Sequence, residues 1–101
     1  INSMNLGGKI MEIKHGSKSF YIGELENKPL AEMSYVVSSD KLIIIDHTNV
    51  PIEMSGQGVG KKLLKELTDW ARVQDIKIMP LCPFAKSVFN KDSSIRDVLF
   101  G

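Results

Sequence analysis

The hydrophobic period changes once along this chain, and that change limits its topology more than any other feature. Up to Ile45 apolar residues follow a strand-like pattern, and from Val59 they recur at helical spacing. Ile10 to Lys14 and Ser19 to Leu25 flank a Gly16-Ser17 turn, which is a hairpin signal. After Glu26-Asn27-Lys28-Pro29, the residues Ala31, Met33, Tyr35 and Val37 share one face of a half-buried strand. Ser38-Ser39-Asp40 then turns the chain into Leu42-Ile43-Ile44-Ile45, a continuous run expected of a central strand buried on both faces. Four successive strands, three of them joined by tight turns, predict an antiparallel meander.

Beyond the change of period, Val59, Leu63, Leu64, Leu67, Trp70 and Ala71 form one apolar helical face from about Gly58 to Gln74. Lys61, Lys62, Lys65, Glu66, Asp69 and Arg72 cover the other face. Ile76 to Leu81 reads as a short buried strand closed by Pro83, Phe84 to Asn90 as a short helix, and Ile95, Val98 and Leu99 as a last amphipathic turn. The expected order is ββββαβα, an α+β fold with a mostly antiparallel mixed sheet. The long helix crosses between strands four and five, which makes those two parallel neighbours.

With 101 residues, 43% of them hydrophobic and 25% charged, the chain is one globular domain, read here as residues 10–101. Residues 1–9 are polar and aperiodic, as in a disordered leader or an appended remnant ahead of a start near Met11. A dinucleotide-binding fold, a TIM barrel or a kinase core does not fit this length. Thirteen Lys and Arg against twelve Asp and Glu leave a net charge of +1, without the basic stripe of a nucleic-acid binder. Cys82 is the single cysteine and the histidines are His15 and His47, so no disulfide forms and a Cys/His metal site lacks ligands. No apolar run reaches membrane-spanning length and no signal peptide pattern opens the chain, so the expected setting is cytoplasmic, with no membrane partner. The expected state is a monomer or weak dimer. His15 is expected to be exposed and silent, and Trp70 and Phe84 to lie in the core.

The chemistry is concentrated in Ser55-Gly56-Gln57-Gly58-Val59-Gly60-Lys61-Lys62, between a buried strand and the long helix. Three alternating glycines at a helix entrance cost backbone entropy, so they need a local reason. Successive N–H groups backed by a helix dipole form an anion cradle, and absent side chains let a phosphate approach the backbone. A tight turn that only lets the helix pack closely on the sheet is the plainer explanation. The P-loop spacing fails because Lys62 follows Gly60-Lys61 and Ser55 stands five before Gly60. The dinucleotide fingerprint fails because it needs a glycine at Lys61.

Gly56-Gln57-Gly58-Val59-Gly60 followed by Lys61-Lys62-Leu63-Leu64 resembles the acetyl-CoA pyrophosphate loop of the GNAT acetyltransferases. Gly58 and Gly60 match that pattern, while Ser55 stands where Arg or Gln is usual. With His47-Thr48-x-Val50 before the loop and Pro80-x-Cys82-Pro83-Phe84 after strand five, the chain from Ile10 to Gly101 resembles the minimal YjdJ-type branch of that family. The resemblance implies a reduced GNAT fold with acetyl-CoA, the cosubstrate, held in the wedge of two splayed strands.

It implies an acetyl-CoA-dependent N-acetyltransferase acting on an unknown amine or protein acceptor. The pyrophosphate would lie on the amides of Gly56, Gln57, Gly58, Val59, Gly60 and Lys61, with Lys61 or Lys62 as countercharge. Pantetheine would pair with the backbone from His47 to Ile52, Val50 included, and Asn90 would touch the pantetheine or adenosine side. Cys82, at the end of strand five, is the candidate acyl acceptor, because the positive end of a helix starting near Pro83 favours a thiolate. The other route is direct transfer with His47 or a water as base. Outside catalysis, Cys82 packs as a small apolar residue and His47 serves as a hydrogen-bonded structural group. Two other classes stay open: a non-catalytic CoA or acyl-CoA binding module, and a thiol redox protein that would lack a resolving cysteine.

Overall fold

The computed structural model describes residues 3–6, 9–54 and 56–100, with side chains from Glu12 onward. Six strands lie in the order β1 to β6: β1 Ser3–Leu6, β2 Lys9–His15, β3 Ser19–Ile22, β4 Ala31–Ser39, β5 Leu42–Asn49 and β6 Lys77–Pro80. The first five form an antiparallel succession and β6 joins β5 in parallel. Helix α1, Val59–Gln74, makes the crossover between the parallel pair, as the change of period predicts. Helix α2, Pro83–Lys91, follows β6, with a 3-10 turn at Ser93–Val98 behind it. The α+β architecture thus matches the expected order from β2 onward.

The leader differs from expectation. Ser3–Leu6 pairs with Lys9–Glu12 and adds a strand at the sheet edge, because the two segments are close enough in sequence for a hairpin to close cheaply. Ser55, where the glycine motif departs from its pattern, lies outside the described residues, as does much of the leader.

One face of the sheet carries the core. Ile22, Met33, Ile43, Ile45 and Ile78 are buried against Leu63, Leu64 and Leu67 of α1, and Ala85 and Phe89 of α2 join the same cluster. The isoleucine run is therefore buried on alternate residues and not throughout: Leu42 and Ile44 are half-buried, and Val36 beside Ile44 is 50% exposed. The turns joining β2 to β5 carry no helix, so among the described residues no layer covers that second face.

His15 is exposed, as expected, but it is not without contacts. It pairs with Phe20 across β2 and β3, stacks on that ring at 4.0 Å, and meets the edge of Trp70 on α1 at 4.7 Å. Its Nε2 lies 2.6 Å from the Tyr35 hydroxyl. Burial of part of the ring holds the His15 pKa below the ordinary value, against a smaller opposing pull from Glu26. Exposure along one edge does not make this side chain silent, because it joins three strands to α1.

The β2–β3 turn closes around a carboxylate. Glu26 accepts from the N–H of Ser17 and Lys18 and from the hydroxyls of Ser17 and Ser19, which pulls its pKa down to about 2. A Cβ on Gly16 would collide with that carboxylate and displace it from its donors, so glycine suits this arrangement of the turn.

Candidate functional site

The glycine loop follows a 3-10 turn at Ile52–Met54. Gly56 has φ +79° and Gly58 φ +73°, left-handed conformations that favour glycine. A Cβ at either would meet nothing within 4 Å, so the backbone sign, and not space, requires glycine there. Gly60 has the opposite cause: its Cβ would stand 2.7 Å from Cζ of Phe84, whose ring packs on the first turn of α1. The close-packing explanation therefore holds for one glycine and not for the other two.

Gly58 is the N-cap of α1 and gives it no side-chain cap, and no acidic residue stands in the first turn. The first amides of a helix have no intrahelical acceptors, so this end presents donors and a positive dipole end outward. Gln57 turns its side chain to the Glu53 carbonyl at 3.2 Å and so braces the loop on the 3-10 turn. Lys61 and Lys62 are exposed on the first turn.

A wedge opens beside the loop because β5 and β6 part. Their ladder ends at Ile45 and Pro80, where the N–H groups of Leu81 and Cys82 both donate to the Ile45 carbonyl, at 3.0 and 3.2 Å. The chain then enters α2, with Pro83 at its start, while β5 runs on to Asn49 beside β4. A cavity of about 320 Å³ occupies this wedge, lined by Thr48, Val50, Met54, Gly58, Lys61 and Phe84 among others.

Register decides which side chains of β5 face it. Between Ile45, opposite Tyr35, and His47, opposite Ser34, Asp46 is an inserted bulge residue, and the Ser34 hydroxyl donates to its Oδ1 at 2.8 Å. Thr48 then pairs with fully buried Met33 and shares the core face. His47 falls on the opposite, exposed face. Cys82 is 7% exposed and is the N-cap residue of α2. Its thiol donates to the Thr48 hydroxyl at 3.1 Å. The two sequence candidates for catalysis are thus on opposite sides of β5, and Thr48 stands between Cys82 and the cavity.

The remaining candidates separate. Val50, Gly56, Gly58, Val59, Gly60 and Lys61 line the cavity; Lys62 lines a larger groove beside it. Asn90 is exposed on α2, and its carbonyl accepts from Arg96. Met54 also lines the cavity, and so does Phe84, expected in the core and partly buried against it. Thr48 and Phe84 do belong to the two flanking motifs, which is the signal that could have found them. Among the described residues no group of three or more His, Cys, Asp and Glu side chains is placed to hold a metal ion, and no helix is long and apolar enough to cross a membrane.

A parallel pair that parts at a glycine-entered helix, on the edge of an antiparallel meander, defines an acetyltransferase-type α+β fold. This chain belongs to the GCN5-related N-acetyl-transferase family, whose model matches residues 19–98. A similar solved structure is the NMR solution structure of a GCN5-like candidate N-acetyltransferase from Staphylococcus aureus. The two are 49% identical over 89% of this chain and 88% of that one, with a TM-score of 0.75. No curated protein sequence matches the chain.

Proposed function

We propose that this domain, of the minimal YjdJ-type branch, binds acetyl-CoA in the wedge and transfers its acetyl group to a small amine or a protein amino group in the cytoplasm. The observation that carries this reading is the cavity between the parted strands, bounded by uncapped amides of α1 and by two glycines whose φ is positive. Those amides and Lys61 or Lys62 suit a pyrophosphate, and the β5 backbone from His47 to Val50 suits the pantetheine amides.

Two routes of transfer fit the side chains. In the first, the Cys82 thiolate attacks the acetyl carbonyl carbon, the carbon–sulfur bond to CoA breaks, and CoA leaves as its thiolate. An amine then attacks the acyl-cysteine and returns the sulfur. In the second, the amine attacks the bound thioester carbon directly, the carbon–sulfur bond breaks, CoA leaves as its thiolate, and the amine's proton goes to water, because His47 stands on the far face of β5. The Thr48 hydroxyl orients Cys82 in both.

The test follows free CoA and intact mass after incubation with acetyl-CoA and an amine panel. An adduct of about 42 Da, the mass of one acetyl group, that is absent from Cys82→Ser supports the first route. CoA release without the adduct supports the second. Binding without release makes the domain a CoA-binding module, and no binding at millimolar acetyl-CoA overturns the reading.

A further inference from the structure

The face of the sheet turned away from α1 is apolar along its middle. Val36, Ile44 and Met79 stand side by side on β4, β5 and β6 by direct pairing. Leu99 pairs in parallel with Ile78 and packs on the core, so Phe100, whose N–H donates to the Ile78 carbonyl, extends the row beside Met79. Val36 is 50% and Phe100 49% exposed, while Ile44, Met79 and, on the next pair of that face, Leu42 are half-buried.

An antiparallel sheet with one face in water ordinarily alternates apolar inward with polar outward. The Leu42–Ile45 run breaks that alternation, and among the described residues no element covers its outward members.

We propose that this face pairs with the same face of a second copy of the chain, forming a weak two-fold dimer. The row carries no charge and crosses the strands, so a two-fold axis along it sets each apolar side chain against its own counterpart, as a symmetric interface requires. The same axis lays the Leu42 and Lys77 side of the row over the Asp46 and His47 side of the other copy. Ammonium and carboxylate then meet twice at the rim, where Lys77 also donates to the Asp97 carbonyl and Asp46 accepts from the Ser34 hydroxyl. At about 4.8 Å between strands and about 3.3 Å per residue, β2 to β6 cover about 500 Å², so two copies bury about 1,000 Å². That area meets the threshold of a specific interface and falls below that of tight ones, which makes the dimer weak. The wedge opens on the α1 side of the sheet, so the pairing leaves it free and stands independently of the acetyl-CoA reading.

Sedimentation equilibrium on the whole chain, from about 5 μM to about 1 mM, is expected to show a monomer–dimer equilibrium with a dissociation constant of about 100 μM. Val36→Glu sets like charges against each other on the axis and is expected to weaken association by more than about tenfold, with a urea transition checking that the variant folds. Val36→Cys is expected to join two copies through a disulfide under copper-phenanthroline oxidation, whereas Val73→Cys, at an exposed position on α1, stays unlinked. A chain that is monomeric up to about 1 mM overturns the proposal and returns the face to a different partner or to water. A dimer that withstands Val36→Glu, or one that links through Val73→Cys and not through Val36→Cys, overturns it in favour of another surface.

Discussion

Glu26→Gln isolates what one carboxylate contributes to the β2–β3 turn. Four donors at 2.9–3.0 Å converge on it, and its pKa falls from 4.5 to about 2. A shift of that size in a fully shielded site corresponds to about 3 kcal/mol. Glu26 is partly open to water, which screens the interaction, so the expected contribution is about 1–2 kcal/mol. Because the folded-state pKa is depressed, this stability is fully present above about pH 4.5 and is lost as the pH falls through about 2. Glutamine keeps the size but loses the charge, and turns an NH2 group toward donors. Urea unfolding at pH 7 is expected to show a loss of about 1–2 kcal/mol, with the melting temperature lower by about 4–15 °C. Below pH 4.5 the native protein is expected to converge on the variant. Equal midpoints at pH 7, or a gap that stays constant down to pH 2, would refute the reasoning.

Two further perturbations address the site. Gly58→Ala places a Cβ at φ +73° with nothing to collide with, so the expected cost is about 1–2 kcal/mol of backbone strain, read by urea unfolding; an unchanged midpoint contradicts the left-handed assignment. Thr48→Val keeps the shape and leaves the Cys82 thiol without its acceptor, for an expected loss of about 1 kcal/mol; stability equal to native shows that the bond contributes nothing.

The helix face from Val59 to Ala71 and the proline at the start of α2 were legible because both are local, set by spacing and by one fixed φ. The parallel crossover followed from them. What was not legible depends on distant partners. Ile44 and Ile45 look alike in sequence, yet only the layer laid over the sheet separates half-buried from fully buried. His15 meets Tyr35 and Trp70 through strand pairing and the seat of α1, which no local pattern encodes. The glycine spacing located the loop, but its residues carry no mark of which position answers to φ and which to the Phe84 ring. Likewise the bond between Cys82 and Thr48 joins positions 34 apart, and it exists only because the strands part where they do.

The single inserted residue at Asp46 acts as a phase setter for everything beyond it on β5. Counted from Ile43 and Ile45 by strict alternation, position 47 would face inward and an imidazole would border the wedge. The insertion offsets the count by one, so a hydroxyl borders it and the imidazole meets solvent. Pairing Asp46 in regular register, with no bulge, would exchange the two groups without changing either and bring a base next to the thiol, whereas deleting Asp46 would leave both facing as they do. The chemistry available in this wedge is therefore chosen by the parity of a strand as much as by which residues the strand contains.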